Sequence, residues 1–332
     1  MTWKGNHISI LIPVFNNQET LARCLDSVVD QTCENWDIVL FLDGCTDGSL
    51  EVARKYGDKR IKVIKSEKNI GIAASRNRLV KEAQGEFVAF LDADDYMLPN
   101  RLEIQRGYLN RNKEIDVCGS GALLRNYSIK ERTYFPNHKL IQAFQFFKCG
   151  VLFPSLMTRN FYKDEENLFN ESFGSRASDF EWIYRIGLKR RITNLPDSLI
   201  SYYVSTPMEL ECKQGDNAFD DKVISLLKVK FNALLGFEVE EGTLLITHHF
   251  LISNSYLETN EAILIAELLM DLFRANNIKM VQHKFYFKVI IFILLLRLRR
   301  ISNIKGYGYS KLLHIFGLKC FFTALRLIPF YR

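Results

Sequence analysis

The chain runs to 332 residues, 48% hydrophobic and 25% charged, which excludes a disordered chain and leaves room for one large globular domain or two smaller ones. Seven cysteines, an odd number without CxxC or zinc-like spacing, exclude a disulfide framework and read as reduced thiols in the cytoplasm. The net charge of +6 hides an asymmetry: residues 272–332 carry 12 Lys and Arg and no acid, so the remainder, with 32 basic and 38 acidic residues, stands at −6.

The first hundred residues alternate strand and helix signals. ISILIPV (Ile8–Val14) reads as a buried strand; it is too short, and broken by Pro13, to serve as a secretion signal. Leu21, Leu25 and Val28 follow at i, i+4, i+7, the stripe of an amphipathic helix. DIVLFLD (Asp37–Asp43) is the second strand, followed by a turn, Gly44 to Gly48, and a helical Leu50–Tyr56. IKVIK (Ile61–Lys65) is the third strand, Ile72–Ala83 a helix stopped by Gly85, and Phe87–Leu91 the fourth strand. Strand–helix alternation with short links predicts a mostly parallel sheet covered by helices.

Such sheets bind ligands beyond the carboxyl ends of their strands. The second strand ends in Asp43, and the fourth runs into Asp92, Asp94 and Asp95. Crowded carboxylates repel and are costly at the mouth of a core, so an external group is expected to neutralise them. The chain has no GxGxxG or GxxxxGK[ST] stretch to cradle phosphates. A divalent cation, which prefers oxygen ligands and keeps substrate phosphates in its shell, could hold a diphosphate there instead. A plainer reading of DADD is a solvated loop that caps the helix after Pro99.

Five segments together resemble one family. ISILIPVFNNQETLARCLDSVVDQT is similar to the opening strand and helix of the inverting family 2 glycosyltransferases of GT-A fold. LDGCTDGS resembles that family's DDGSTDGS turn, KNIGIAASRN its NxGxxxARN segment, and FLDADD its DxD strand end. FNESFGSRASDFEWIYRIGL resembles its FDExF…EDxxLxxRL segment, and the likeness extends over about residues 7–205 with order and spacing kept.

The resemblance implies a GT-A domain over residues 1–215, and a helical region is expected to follow over 216–332. It implies that Asp43 accepts a hydrogen bond from the nucleotide base, in a slot lined by Pro13 and Phe15. It implies that Arg76 positions the nucleotide, that Asp92 sits near the ribose and that Asp94 holds Mn²⁺ or Mg²⁺ on the diphosphate. Asp179 would be the general base. The implied partners are a nucleotide-sugar donor and a glycan or lipid-linked acceptor; nucleic acid is not expected, because the basic residues of the tail interleave with aliphatic runs rather than stacking aromatics.

Three positions depart from the pattern. Leu42 and Ser178 stand where the family usually has acids, and ISYYVSTP (Ile200–Pro207) lacks a His that some relatives use as a metal ligand. Asp179 also reads as an N-cap, since SDFEWIYRIGL places it ahead of an apolar run with Glu181, Arg185 and Lys189 at i+4 steps. Arg76, beside Arg78, also reads as a surface helix charge. Two other activities fit the same carboxylates: a metal-dependent nucleotidyltransferase and a non-catalytic nucleotide-sugar scaffold. No QxxRW follows Asp179, which argues against a processive synthase.

The basic end closes the chain. FYFKVIIFILLLRLRR (Phe285–Arg300) is apolar over Val289 to Leu296 and then strongly basic. Stretches of about 10–14 apolar residues suit an interfacial or core helix rather than a membrane span. Its charge predicts docking on an anionic membrane surface, at the inner face of the cell membrane, with a core helix as the alternative.

Overall fold

The computed structural model describes residues 5–125, 131–132, 134–145, 149–164, 166, 168–203, 217–235, 237–252, 259–274, 291 and 294–295. The chain divides into two compact units. The first takes Met1–Pro136 and Val151–Gly215, the second Asn137–Gly150 and Asp216–Arg332.

The first unit opens with strand β1 (Ile8–Val14), helix α1 (Leu21–Val29), β2 (Trp36–Asp43), α2 (Ser49–Lys55), β3 (Ile61–Ser66), α3 (Ile72–Glu82) and β4 (Phe87–Phe90). Each lies within a residue or so of its sequence expectation. β1 is buried along its whole length, as a strand covered on both faces must be. Leu21, Cys24, Leu25 and Val28 are the buried face of α1, the predicted stripe. β3, the edge strand, carries exposed Lys62 and Lys65, a common defence of an open edge. The remaining elements are β5 (Tyr96–Met97), α4 (Arg101–Arg111), β6 (Val117–Arg125), β7 (Glu131–Arg132), β8 (Met157–Arg159), α6 (Gly174–Gly187) and β9 (Ile192–Tyr203). The helix between β7 and β8, α5 (His138–Phe144), belongs to the second unit.

The sheet runs β3-β2-β1-β4-β8-β6-β9-β5, with β7 on β6. β3, β2, β1 and β4 are parallel, whereas β8 is antiparallel to both β4 and β6, and β5 antiparallel to β9. Pro13 is tolerated inside β1 because β4 pairs with β1 only as far as Leu11, so its missing N–H costs no ladder bond on that side.

A buried arginine closes the seam between the two halves. Arg101 is fully buried, and its Nη2 donates to Phe90 O at 2.9 Å and Leu156 O at 3.2 Å. Its Nε donates to Gln105 Oε1, and Gln105 Nε2 in turn donates to Cys118 O and Ser155 O. Burial lowers the Arg101 pKa to about 10, which keeps it charged at neutral pH. Backbone carbonyls of the β4 end, the turn before β8 and strand β6 are thus tied together by one charge-assisted network.

The second unit contains α5, α7 (Asn217–Leu235), α8 (Glu241–Ile252) and α9 (Thr259–Arg274). Asn137 caps α5, its Oδ1 accepting from Lys139 N and Leu140 N. The buried Lys230 Nζ of α7 donates to Gln145 O at 3.0 Å, just past the end of α5. Most of the basic apolar stretch Phe285–Arg300, and all of residues 301–332, lie outside the described residues. Among the described residues no helix is long and apolar enough to cross a membrane.

Candidate active site

The carboxyl ends of β1, β2 and β4 gather the residues that the sequence singled out. Strands two apart in a sheet lie about 10 Å from each other. That sets the scale between Asp43, at the end of β2, and Asp92, just past β4.

The β2 end is built by backbone constraint. Gly44 has φ of 65°, and a Cβ on it would lie 2.3 Å from Asn69 N and 2.5 Å from Lys68 C. Only glycine fits there. That close approach lets Asp43, which is buried, accept from Ile70 N at 2.7 Å through Oδ1 and from Gly71 N at 3.0 Å through Oδ2. Asp43 therefore holds the Asn69–Gly71 turn ahead of α3, a role the sequence reading did not foresee. The turn after β1 is laced to the turn after β2. Asn16, at a positive φ of 53°, accepts from Thr46 N, Gln18 N donates to Asp47 Oδ2 and Gly48 N donates to Gln18 Oε1. On this rim Phe15 is 49% exposed and Ile70 41%, two apolar side chains left in solvent beside Asp43, whereas Pro13 is buried in β1.

The β4 end is acidic and divided. Asp92 Oδ1 lies 3.4 Å from Arg76 Nη2. The backbone oxygen of Asp94 accepts from Arg125 Nη2 at 2.5 Å. Asp95 turns the other way and is buried; its Oδ1 accepts from Tyr203 N at 2.8 Å and sits 3.7 Å from Arg125 Nη2. Burial, followed by the charges of Asp92 and Asp94, pushes the Asp95 pKa up to about 9. The cluster thus presents two outward carboxylates and hides the third. Two carboxylates at a strand end suit a hard divalent cation that takes its other ligands from water and a diphosphate. Among the described residues no group of three or more His, Cys, Asp or Glu could hold a metal by itself.

Arg76 is no surface charge. It is 6% exposed, on α3, with its guanidinium carbon 3.9 Å from the Phe153 ring centroid and 5.8 Å from that of Phe169. Its Nε is buried without a hydrogen-bond partner. Asp179 lies on α6, five residues inside a helix that begins at Gly174, so the N-cap reading of Asp179 fails; Phe173 occupies the cap position. Asp179 Oδ1 accepts from Phe180 N at 2.7 Å. Burial pushes the Asp179 carboxyl above the usual aspartate range; Arg76 opposes that shift and Asp92 adds to it. Arg76 therefore lies within electrostatic reach of both Asp92 and Asp179. Ser178, beside Asp179, is buried and its Oγ has no hydrogen-bond partner.

Behind this group lies an aromatic floor that sequence reading did not assemble. Trp182, one turn past Asp179, stacks on Phe169 with centroids 5.0 Å apart and lies 6.0 Å from Phe153 and 6.3 Å from Phe90. The Glu181–Arg185 pair expected at i+4 forms at 2.7 Å. Arg185 also donates to Glu166 O and Leu168 O, which fastens the loop preceding α6 to that helix.

The profile of Glycosyl transferase family 2 matches residues 9–186, more than half of the chain. The chain belongs to that family. It is 35% identical over 123 residues to the Bacillus subtilis protein named putative glycosyltransferase EpsE, covering 36% of this chain and 44% of that one. It is 31% identical over 148 residues to the Escherichia coli UDP-Glc:alpha-D-GlcNAc-diphosphoundecaprenol beta-1,3-glucosyltransferase WfgD, covering 43% and 56%. These matches span about half the length of the relatives. Among solved structures, S. aureus TarS 1–349 in complex with UDP-GlcNAc superposes with a TM-score of 0.58 at 21% identity, covering 88% of this chain and 87% of that one. The shared fold is GT-A, a mostly parallel sheet flanked by helices.

Proposed function

We propose that this chain transfers one sugar from a nucleoside-diphosphate sugar, a UDP-sugar, to a hydroxyl of a lipid-linked or surface glycan, with inversion at the anomeric carbon. The observation that carries this reading is Arg76. It is buried at 3.4 Å from Asp92 and within electrostatic reach of Asp179, joining the acidic strand end to a carboxyl whose pKa is raised. A raised carboxylate beside an acidic, phosphate-compatible rim is what acid–base chemistry at a diphosphate requires.

In this mechanism Asp179 takes the proton of the acceptor hydroxyl. The oxygen attacks the anomeric carbon from the face opposite the diphosphate, the old carbon–oxygen bond breaks, and the nucleoside diphosphate leaves. Asp94 would hold a divalent cation, Mn²⁺ or Mg²⁺, which offsets the charge growing on the departing diphosphate. Asp92 lies toward the ribose. Asp43 and Phe15 receive the base at the β2 rim, with Pro13 set in the strand behind. From its buried place beside Asp92, Arg76 favours the ionised form of Asp179 and helps to position the nucleotide. WfgD, by its name, acts with UDP-Glc on a diphosphate-linked acceptor, which supports the choice of donor and acceptor class here.

The deciding experiment incubates the protein with a panel of UDP-, GDP- and dTDP-sugars and lipid-linked acceptors and identifies the products. Free nucleoside diphosphate with a glycosylated acceptor supports the proposal. Pyrophosphate would mean nucleotidyl transfer, and binding without turnover would mean a scaffold.

Two further expectations belong to this reading. Asp43→Ala should weaken UDP binding about 10- to 100-fold, since a charge-assisted bond from a buried carboxylate is worth roughly 1.5–3 kcal/mol. Loosening of the Asn69–Gly71 turn would add to the loss. Equal affinities by calorimetry would refute the role of Asp43. The basic tail, residues 272–332, should bring the protein to an anionic membrane face, each Lys or Arg near the surface contributing about 1 kcal/mol. The full chain should float with phosphatidylglycerol liposomes at low salt, and a version ending near Lys279 should not. Equal behaviour of the two forms overturns membrane docking.

A further inference from the structure

The side chain of Asn77 is spent on one loop. Its Nδ2 donates to Phe169 O and to Glu171 Oε1, both at 2.9 Å, and its Oδ1 accepts from Phe169 N at 2.8 Å. Both amide hydrogens and an oxygen lone pair are therefore used on residues more than ninety positions further along the chain. Asn77 treats Phe169 as a neighbouring strand would, pairing with its N–H and its C=O together.

Two of the segments read separately in the sequence, KNIGIAASRN and FNESF, meet in this contact. Asn77 follows Arg76 on α3. Phe169, which it holds, lies under the Arg76 guanidinium and stacks on Trp182, one turn beyond Asp179 on α6. From the other side Arg185 ties Glu166 O and Leu168 O to α6. The loop is thus fastened to α6 by Arg185 and to α3 by Asn77, and the helices it joins carry Arg76 and Asp179. A displacement of about 1 Å at reacting groups can cost on the order of 10²-fold in rate.

We propose that Asn77 is a positioning residue: by clamping Phe169 and Glu171 it sets the separation of Arg76 on α3 from Asp179 on α6. This rests on the reading of Asp179 as the general base. The Asn77 side chain is taken up by Phe169 and Glu171, so on this proposal its loss acts on kcat and leaves donor affinity alone.

The test is a mutant cycle on the purified full-length protein, with kcat measured by nucleoside diphosphate release and donor Kd by calorimetry. Asn77→Ala should lower kcat about 10- to 100-fold. Donor Kd should stay within about twofold, the usual spread for uncoupled sites. Asn77→Asp alone sets a carboxylate against Glu171 and should be as poor. Adding Glu171→Gln restores one donor and one acceptor across that contact with the roles exchanged, and should recover kcat at least about fivefold, within the range of coupling for residues in contact. Unchanged kcat in Asn77→Ala, a donor Kd that rises in step with the loss, or no recovery in the double variant overturns the proposal. If the single variants lose their thermal unfolding transition instead, Asn77 is structural and the proposal fails. Asp179→Asn is assayed alongside. If it keeps its kcat, the base assignment falls; if it is dead and the Asn77 variants are not, only the positioning role falls.

Discussion

Asp179→Asn should lower kcat by about 10²–10⁴-fold, the usual worth of a positioned general base. The substitution keeps the shape of the side chain and an oxygen for the Phe180 N–H, so the start of α6 has no reason to shift. What it removes is the ability to accept a proton. Donor affinity, set at the β2 and β4 rims, should be nearly unchanged. The pH dependence follows from the direction of the shift. Burial raises the Asp179 pKa, the ionised form is the active one, and activity should therefore fall with decreasing pH at a value above the ordinary aspartate range. Arg76 opposes the shift, so Arg76→Met should move that acid limb to still higher pH. A variant Asp179→Asn that keeps kcat but loses donor binding would make Asp179 a structural residue.

Asp94→Asn should abolish most turnover while the protein stays folded. The fold is protected because Asp94 contributes its backbone oxygen to Arg125, a contact that asparagine retains. The lost charge matters to the cation instead, since a hard divalent ion with few protein ligands depends strongly on each carboxylate. Excess chelator should inactivate the wild-type protein in the same way, and calorimetry should show weaker Mn²⁺ binding in the presence of UDP for the variant. Full activity of Asp94→Asn, or of wild type in chelator, removes the metal from the mechanism.

The parallel half of the sheet was legible in the sequence because β1, β2 and β4 are short, nearly continuous apolar runs, a purely local signal. The acidic ends of β2 and β4 were legible for the same reason. What stayed hidden depended on distant pairing. Tyr96–Met97 is a strand only because it meets Ile200 and Ser201 of β9, and no periodicity announces two residues. DADD reads as three equal acids, yet Asp95 turns inward because the Tyr203 N–H waits for it. Arg76 and Arg101 look like helix-surface cations, and the aromatic floor and the carbonyls of the seam are what bury them. The start of α6 was misjudged because Gly174, Ser175 and Arg176 carry none of the apolar spacing by which a helix is recognised. Asn77 had no signal beyond its place in a resembling segment, since its partners lie across the fold.

The order of strands also has a bearing on how the chain emerges from the ribosome. β1 to β4 lie within the first ninety residues and pair only with one another, apart from the edge that β8 later covers. Every partner these strands need from one another is made within the first ninety residues, so this half can begin to collapse while the rest is still being synthesised. The acidic loop cannot follow at once. Its fixing partner, the Tyr203 N–H, is made more than a hundred residues after Asp95, and so is the β9 segment that pairs with Tyr96 and Met97. A nascent chain therefore carries the β2 rim before it carries a finished β4 edge, and on the proposed function chemistry waits until β9 has been delivered.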